Sequence, residues 1–212
     1  MELSNYFKIT NKLPENVNLL AVSKGFDAIS IKSLYEVGQI NFGESKLQEF
    51  MKKQTSLKDF LKLKWHFIGR LQTNKITKII KQFDYIHSVD SFEKLAKISN
   101  SASAINKSPS IMIQVKLADD PNKAGMTPDE LLTKWIDIKN LKSINVTGLM
   151  TINPKGLSTQ ENFMLFKKCR YLVDSLQLED CSMGMSNDWE QAIDAGANWI
   201  RIGSLIFGNR NI

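Results

Sequence analysis

Short apolar runs alternate with amphipathic stretches along the whole of this chain, and that alternation decides which folds are open to it. Eight runs read as strands: Leu19 to Ser23, Ile40 to Gly43, Lys64 to Gly69, Tyr85 to Val89, Ile111 to Val115, Ile144 to Met150, Asp180 to Met183 and Trp199 to Ile202. Helical patterns lie between them, over Ile29 to Val37, Glu44 to Lys53, Asn74 to Gln82, a stretch opening at Ser91, Thr127 to Asn140, Ser158 to Leu176, and Ser186 to Gly196. A further short helix is expected within residues 1–12, and a polar link over Ser99 to Ser110. Thr127-Pro128-Asp129-Glu130 is a strong helix start, with Thr127 as N-cap and Pro128 at the first position. Asn187 and Glu190 have capping-box spacing. Strands that alternate with helical crossovers pair in parallel, and eight such units close into a (β/α)8 TIM barrel. A doubly wound open sheet is the other option, but no GxGxxG follows the first strand. No composition break divides the chain, so a single domain over 1–212 is expected.

Composition narrows the function. There are 28 basic and 22 acidic residues, a net charge of +6, spread as lone lysines and short pairs such as Lys52-Lys53. Without an arginine-rich patch interleaved with aromatics, the excess suits attraction of small anions better than nucleic acid. Cys169 and Cys181 form no CxxC and read as reduced structural thiols of a cytoplasmic protein. His66 and His87 lack metal-site spacing, so no metal is expected. Glu2, Asn5 and Lys8 rule out a signal-peptide pattern at the start. No run reaches the length of a membrane-spanning helix, so no membrane partner is expected.

Two places carry chemistry. Leu19-Leu20-Ala21-Val22-Ser23-Lys24-Gly25 reads as a buried strand ending in a lysine. Partial desolvation there disfavours the ammonium, and a neutral amine can form a Schiff base with an aldehyde. The plainer reading is a lysine that ends a strand and reaches into water. The second place follows strands 7 and 8, where barrels commonly hold phosphate. Ser182-Met183-Gly184-Met185-Ser186 and Arg201-Ile202-Gly203-Ser204 each enter a helix, with glycines for close approach, N–H groups for an anion, and the Ser186 and Ser204 hydroxyls. Taken locally, the plainer reading is two helix caps with glycines for turn geometry. In a closed barrel, strand 8 lies beside strand 1. An aldehyde-bearing phosphate ester then fits both places, and pyridoxal 5'-phosphate (PLP) is the evident candidate. Arg201 would face its pyridine nitrogen and keep it unprotonated, since like charge opposes protonation.

Ala21-Val22-Ser23-Lys24, Asn41-Phe42-Gly43-Glu44, Trp65-His66-Phe67-Ile68-Gly69-Arg70-Leu71-Gln72-Thr73-Asn74-Lys75, Ile86-His87-Ser88-Val89-Asp90, Gly148-Leu149-Met150-Thr151, Ser182 to Asp188 and Arg201 to Gly208 together resemble the YggS/PROSC-type family of PLP homeostasis proteins. The fold of that family resembles the N-terminal barrel of alanine racemase. The resemblance implies Lys24 as the Schiff-base lysine and Ser186, Gly203 and Ser204 as phosphate-binding positions. It places Arg201 at the pyridine nitrogen and Met183, Asn74 and His66 near the cofactor. His66 reads equally as a barrel-interior residue with a satisfied ring, and Asn74 as a helix cap. Ser45 stands where the family usually has asparagine, and Lys116 where its strand 5 usually ends in asparagine. Lys123 fits the family's Lys-x-Gly loop, either as a second reactive or phosphate-binding lysine or as a solvated one, and its flank Asp119 to Asn122 is unusual.

The resemblance implies a PLP carrier in vitamin B6 homeostasis, a cytoplasmic monomer that releases the cofactor, PLP-dependent apoenzymes being possible recipients. The competing reading is an amino-acid racemase of weak activity. Racemisation needs an acid/base on each face of the substrate. In alanine racemase the second is a tyrosine from another domain, and a chain ending at Ile212 is expected to lack that domain. A barrel binding another phosphorylated ligand without covalent chemistry is the third reading.

Overall fold

The computed structural model describes residues 3–120 and 123–208; Pro121 and Asn122, in the flank of the fifth-strand loop, lie outside them. After α1 (Leu3–Thr10), strand and helix repeat: β1 (Asn18–Val22), α2 (Ala28–Glu36), β2 (Asn41–Glu44), α3 (Leu47–Gln54), β3 (Lys64–Phe67), α4 (Ile76–Gln82), β4 (Tyr85–Val89), α5 (Phe92–Ala104), β5 (Ser110–Val115), α6 (Pro128–Lys139), β6 (Asn145–Thr151), α7 (Thr159–Ser175), β7 (Asp180–Ser182), α8 (Trp189–Asp194), β8 (Trp199–Ile202) and α9 (Ser204–Phe207). The strands form a closed barrel in chain order. Each pairs in parallel with the next, and β8 closes on β1 with Leu20 opposite Arg201. This is the TIM barrel that the alternation implied.

Local chemistry explains most element ends. Thr127 and Glu130 form a complete capping box at α6, and Ser158 and Glu161 another at α7, each satisfying two N–H groups that a helix start leaves open. Three expectations fail locally. Glu44 does not open a helix: it ends β2, fully buried, and α3 starts at Leu47. The polar link from Ser99 is largely helix, because α5 runs on to Ala104. Buried Ile98 and Ala102 extend its core face one more turn, and the Ser99 hydroxyl is satisfied by the Lys142 carbonyl at 2.7 Å. Asn187 does not cap α8. The N-cap is Asp188, whose carboxylate accepts from the Met185 amide at 2.6 Å, and Glu190 pairs with Lys12 at 2.9 Å instead of reaching back.

The core has two parts. The larger lies between the outer barrel face and the helices, and includes Ile31, Phe50, Ile86, Leu95, Phe166 and Ile202. The smaller fills the lumen, with Leu20, Met112, Met150 and Trp199. Barrel lumens are usually packed with branched aliphatics. Here His66, His87, Ser182 and Arg201 are buried as well, bonded to one another across the strands. Among the described residues no helix is long and apolar enough to cross a membrane.

Candidate functional site

A cleft of about 900 Å³ opens at the C-terminal ends of the strands, within the size range of small-molecule sites. Lys24, Ser186, Arg201, Gly203 and Ser204 all line it, with Lys155 and Asp188. The cations outnumber the carboxylate, so the cleft favours an anion.

Lys24 sits in the turn just past β1, partly exposed. Its neighbours on both sides are pinned by a cluster that the sequence reading missed. The Ser23 hydroxyl donates to Glu44 Oε1 at 2.7 Å. The Lys53 ammonium donates to the Ser23 carbonyl at 2.8 Å, to Glu44 Oε1 at 2.6 Å and to Glu49 Oε1 at 2.7 Å. Glu49 also accepts from the Gly25 amide at 2.5 Å. Lys53 and Glu44 are only 7% and 0% exposed, which makes this a buried ion pair. Burial pushes the Glu44 carboxyl above the usual range, opposed by the Lys53 ammonium and the Ser23 hydroxyl. Its second oxygen, Oε2, is buried with no hydrogen-bond partner among the described residues. The one legible signal was the i,i+4 spacing of Glu49 and Lys53 on α3.

Arg201 rises from β8 into the floor of the cleft. Its Nη1 donates to Ser182 Oγ at 2.9 Å and its Nη2 to the Thr151 carbonyl at 2.8 Å. Burial lowers its pKa to about 10, against the pull of Asp188, so it remains a cation at neutral pH. On the rim, the Ser204 hydroxyl donates to Ser186 Oγ at 3.1 Å, which brings the loops after β7 and β8 together. Two glycines permit this. Gly184 has φ +84°, and a Cβ on it would lie 2.6 Å from that of Ala192 in α8. A Cβ on Gly203 would lie 3.2 Å from the Val22 carbonyl, so the backbone before α9 can sit tightly against β1. Amine, guanidinium, paired hydroxyls and a glycine cradle make a donor set that fits an aldehyde-bearing phosphate ester.

The other expected site residues are placed elsewhere. His66 is fully buried in the lumen rather than in the cleft lining, its Nδ1 2.9 Å from His87 Nε2 and its Nε2 3.2 Å from Asn41 Oδ1. Tyr85 stacks on it at 4.3 Å. It therefore takes the interior role, because β3 pairs it with Tyr85 at the start of β4, a level below the mouth. Met183 is buried among core residues with Cys181 Sγ 3.6 Å from its sulfur. Its amide still bonds the Trp199 carbonyl, so it shares the helix-facing side with Cys181, two residues before it, while Ser182 faces the lumen. Asn74 is exposed in a 3-10 turn (Thr73–Lys75) and caps no helix. Lys123 lines a small neighbouring pocket with Lys116, Thr151 and Asn153. Lys116 comes no closer than 4.0 Å to Asp119, and Ser45 follows β2 half-buried.

Burial of the histidines predicts acid sensitivity. Burial, with the Lys64 charge, takes the His66 pKa down to about 3. Burial, with His66 and Arg201, takes His87 well below its ordinary value. The unfolded rings bind protons near pH 6.5 while the native ones do not, so stability rises with pH across that window and falls on acidification. From pH 7.5 to 5, wild type should lose about 2 kcal/mol more unfolding free energy than His66→Gln on account of His66. Glu44, acting with the opposite sign, cancels in the difference. Urea unfolding at both pH values checks this; parallel pH slopes would show His66 protonated in the native state.

The family model for the alanine racemase N-terminal domain matches residues 3–211. The pyridoxal phosphate homeostasis protein of Synechocystis sp. is 40% identical to this chain, over 98% of each. That of Aquifex aeolicus is 39% identical, over 91% of this chain and 86% of the relative. The structure of PipY from Synechococcus elongatus without PLP is similar with a TM-score of 0.95 at 40% identity, covering 98% of this chain and 100% of that one. The PLP-bound PipY structure gives 0.93 at 39%, covering 97% and 99%. An alanine racemase of Clostridium difficile shares the barrel at a TM-score of 0.81 and 17% identity, over 99% of this chain and 56% of the racemase, a likeness of fold alone.

Proposed function

Since the chain belongs to the pyridoxal phosphate homeostasis protein family, built on the alanine racemase N-terminal domain, we propose that it holds PLP as a Schiff base on Lys24 and releases it to PLP-dependent apoenzymes. The reading includes a monomer acting in the cytoplasm. One observation carries it: Lys24, Arg201 and the Ser186–Gly203–Ser204 rim converge on one cleft although they come from opposite ends of the chain. When bound, the cofactor supplies an aldehyde that condenses with an amine, a phosphate monoester and a basic ring nitrogen. The chain's own groups match each part. Lys24 offers the amine, in a turn clamped at Ser23 and Gly25. Ser186, Gly203 and Ser204 offer hydroxyls and backbone to a phosphate. Arg201 offers only donors, so it holds a ring nitrogen unprotonated. Release is consistent with an open rim, where Met185, Asn187 and Ser204 are exposed.

The test uses the wild-type protein incubated with PLP, reduced with borohydride and digested. The cofactor mass is expected on the peptide that carries Lys24. A label on the Lys123 peptide would reassign the site, and no label at all would leave a barrel for another phosphorylated ligand.

A further inference from the structure

We propose that Ser182, His87, His66 and Asn41 form a one-way chain of hydrogen bonds that holds the Arg201 guanidinium in the floor of the cleft, so that Ser182 and His87 are positioning residues for the group that Arg201 meets. The proposal rests on the PLP reading only for the identity of that group.

The direction of the chain follows from what each group can do. A guanidinium only donates, so Ser182 Oγ accepts from Arg201 Nη1 at 2.9 Å. Ser182 Oγ also lies 3.1 Å from His87 Nδ1. If His87 donated there, the serine hydrogen would have no acceptor among the described bonds, a costly state for a buried hydroxyl. Ser182 therefore donates, and His87 Nδ1 is bare. The His87 hydrogen must then sit on Nε2, which faces His66 Nδ1 at 2.9 Å. That leaves the His66 hydrogen on Nε2, facing Asn41 Oδ1 at 3.2 Å. Every donor meets one acceptor, and both rings are neutral. The charges around the rings act in the same sense: Lys64 opposes protonation of His66, and Arg201 opposes that of His87. Tyr85 and Trp199 wall the His66 ring, at 4.3 and 5.0 Å between centroids.

The chain climbs from the first residue of β2 to the floor of the cleft and ties β2, β3, β4, β7 and β8 together. With the Thr151 carbonyl on β6 as its other anchor, it fixes the plane of the guanidinium, not merely its charge. A fully apolar lumen would leave Arg201 free to turn away from the cleft. Placement of this kind matters, because small misalignments of a bound group are expensive.

The chain has two histidines, so ¹⁵N-histidine labelling gives two ring systems to read by long-range ¹H–¹⁵N correlation. In the ligand-free protein both are expected as the Nε2–H tautomer with a bare Nδ1, unchanged from pH 6 to 8. A ring with its hydrogen on Nδ1, or a charged ring, overturns the one-way chain. Ser182→Ala is then expected to weaken PLP binding about tenfold, as loss of one hydrogen bond to a charged group does, and to shift the absorbance maximum of the bound cofactor. Ser182→Cys, a weak donor and acceptor, should recover part of both. If Ser182→Ala does not fold, His87→Gln carries the same comparison. Unchanged affinity and spectrum in the variant would overturn the positioning role. Failure of the wild type to take up PLP would sink the cofactor reading alone, since the tautomers are read without it.

Discussion

Lys24→Ala is expected to abolish covalent capture of PLP while leaving the barrel folded. The amine is the only part of Lys24 on which the proposed attachment depends. The turn that carries it is held through the Ser23 carbonyl and the Gly25 amide, neither of which the substitution removes. Urea unfolding should therefore move much less than in Lys53→Met, because the clamp at Ser23 and Gly25 is kept. The absorbance band of the Schiff base should give way to that of the free aldehyde, and the borohydride-stable attachment should vanish. Arg201, Ser186 and Ser204 stay in place, so PLP should still bind saturably, more weakly and reversibly. A Schiff-base band that survives in the variant would assign the attachment to another lysine, Lys155 in the cleft lining or Lys123 in the neighbouring pocket.

The largest expected loss of stability belongs to Lys53→Met. Lys53 carries the only positive charge against Glu44 in that buried pair, and Glu44 is fully buried. Removing one partner strands the other, and such losses run to about 3–5 kcal/mol. The sign of the pH dependence identifies the cause. Burial already raises the Glu44 pKa, and without Lys53 it rises further. A group whose native pKa lies above its unfolded value stabilises at low pH, and that contribution is lost as pH rises through the native value. The deficit of the variant relative to wild type should therefore grow between pH 5 and pH 8. Glu44→Gln in the same background should recover part of it. A deficit independent of pH would mean that the loss is one of packing around the lysine stem. Because Lys53 also holds the Ser23 carbonyl, uptake of PLP at Lys24 should slow in Lys53→Met even where the protein is folded.

The fold was legible because most strands announced themselves as short apolar runs, Asp180 to Met183 being the weak one, and α6 announced itself by its cap at Thr127, whereas the capping box at Ser158 came from the structure. What was not legible depended on partners distant in the chain. Glu44 reads as polar and therefore as a helix start; Lys53, folded back from α3, and the Ser23 hydroxyl make its burial tolerable. His66 reads as inward-facing, but its depth is a matter of register against Gly43 and Tyr85, which one sequence does not state. Met183 was assigned to a strand that stops one residue earlier. The site residues that the structure gathers in the cleft, Lys24, Ser186, Arg201, Gly203 and Ser204, are those whose position follows from strand order alone. Those that it disperses, His66, Met183 and Asn74, needed register or local turn geometry.

The seam where β8 meets β1 has a consequence in time. The Asn18 side chain bonds the Asn198 carbonyl across it, 180 residues away in sequence, so this is among the costliest loop closures in the molecule. A chain emerging from the ribosome exposes Lys24 long before β8 exists to bring Arg201, Gly203 and Ser204 beside it. Until then the lysine has no cradle, and an unfinished barrel has no means of selecting a phosphate-bearing aldehyde over any other. With the proposed site, ligand uptake would report on completion of synthesis, and fragments that stop short of β8 are expected to bind no PLP.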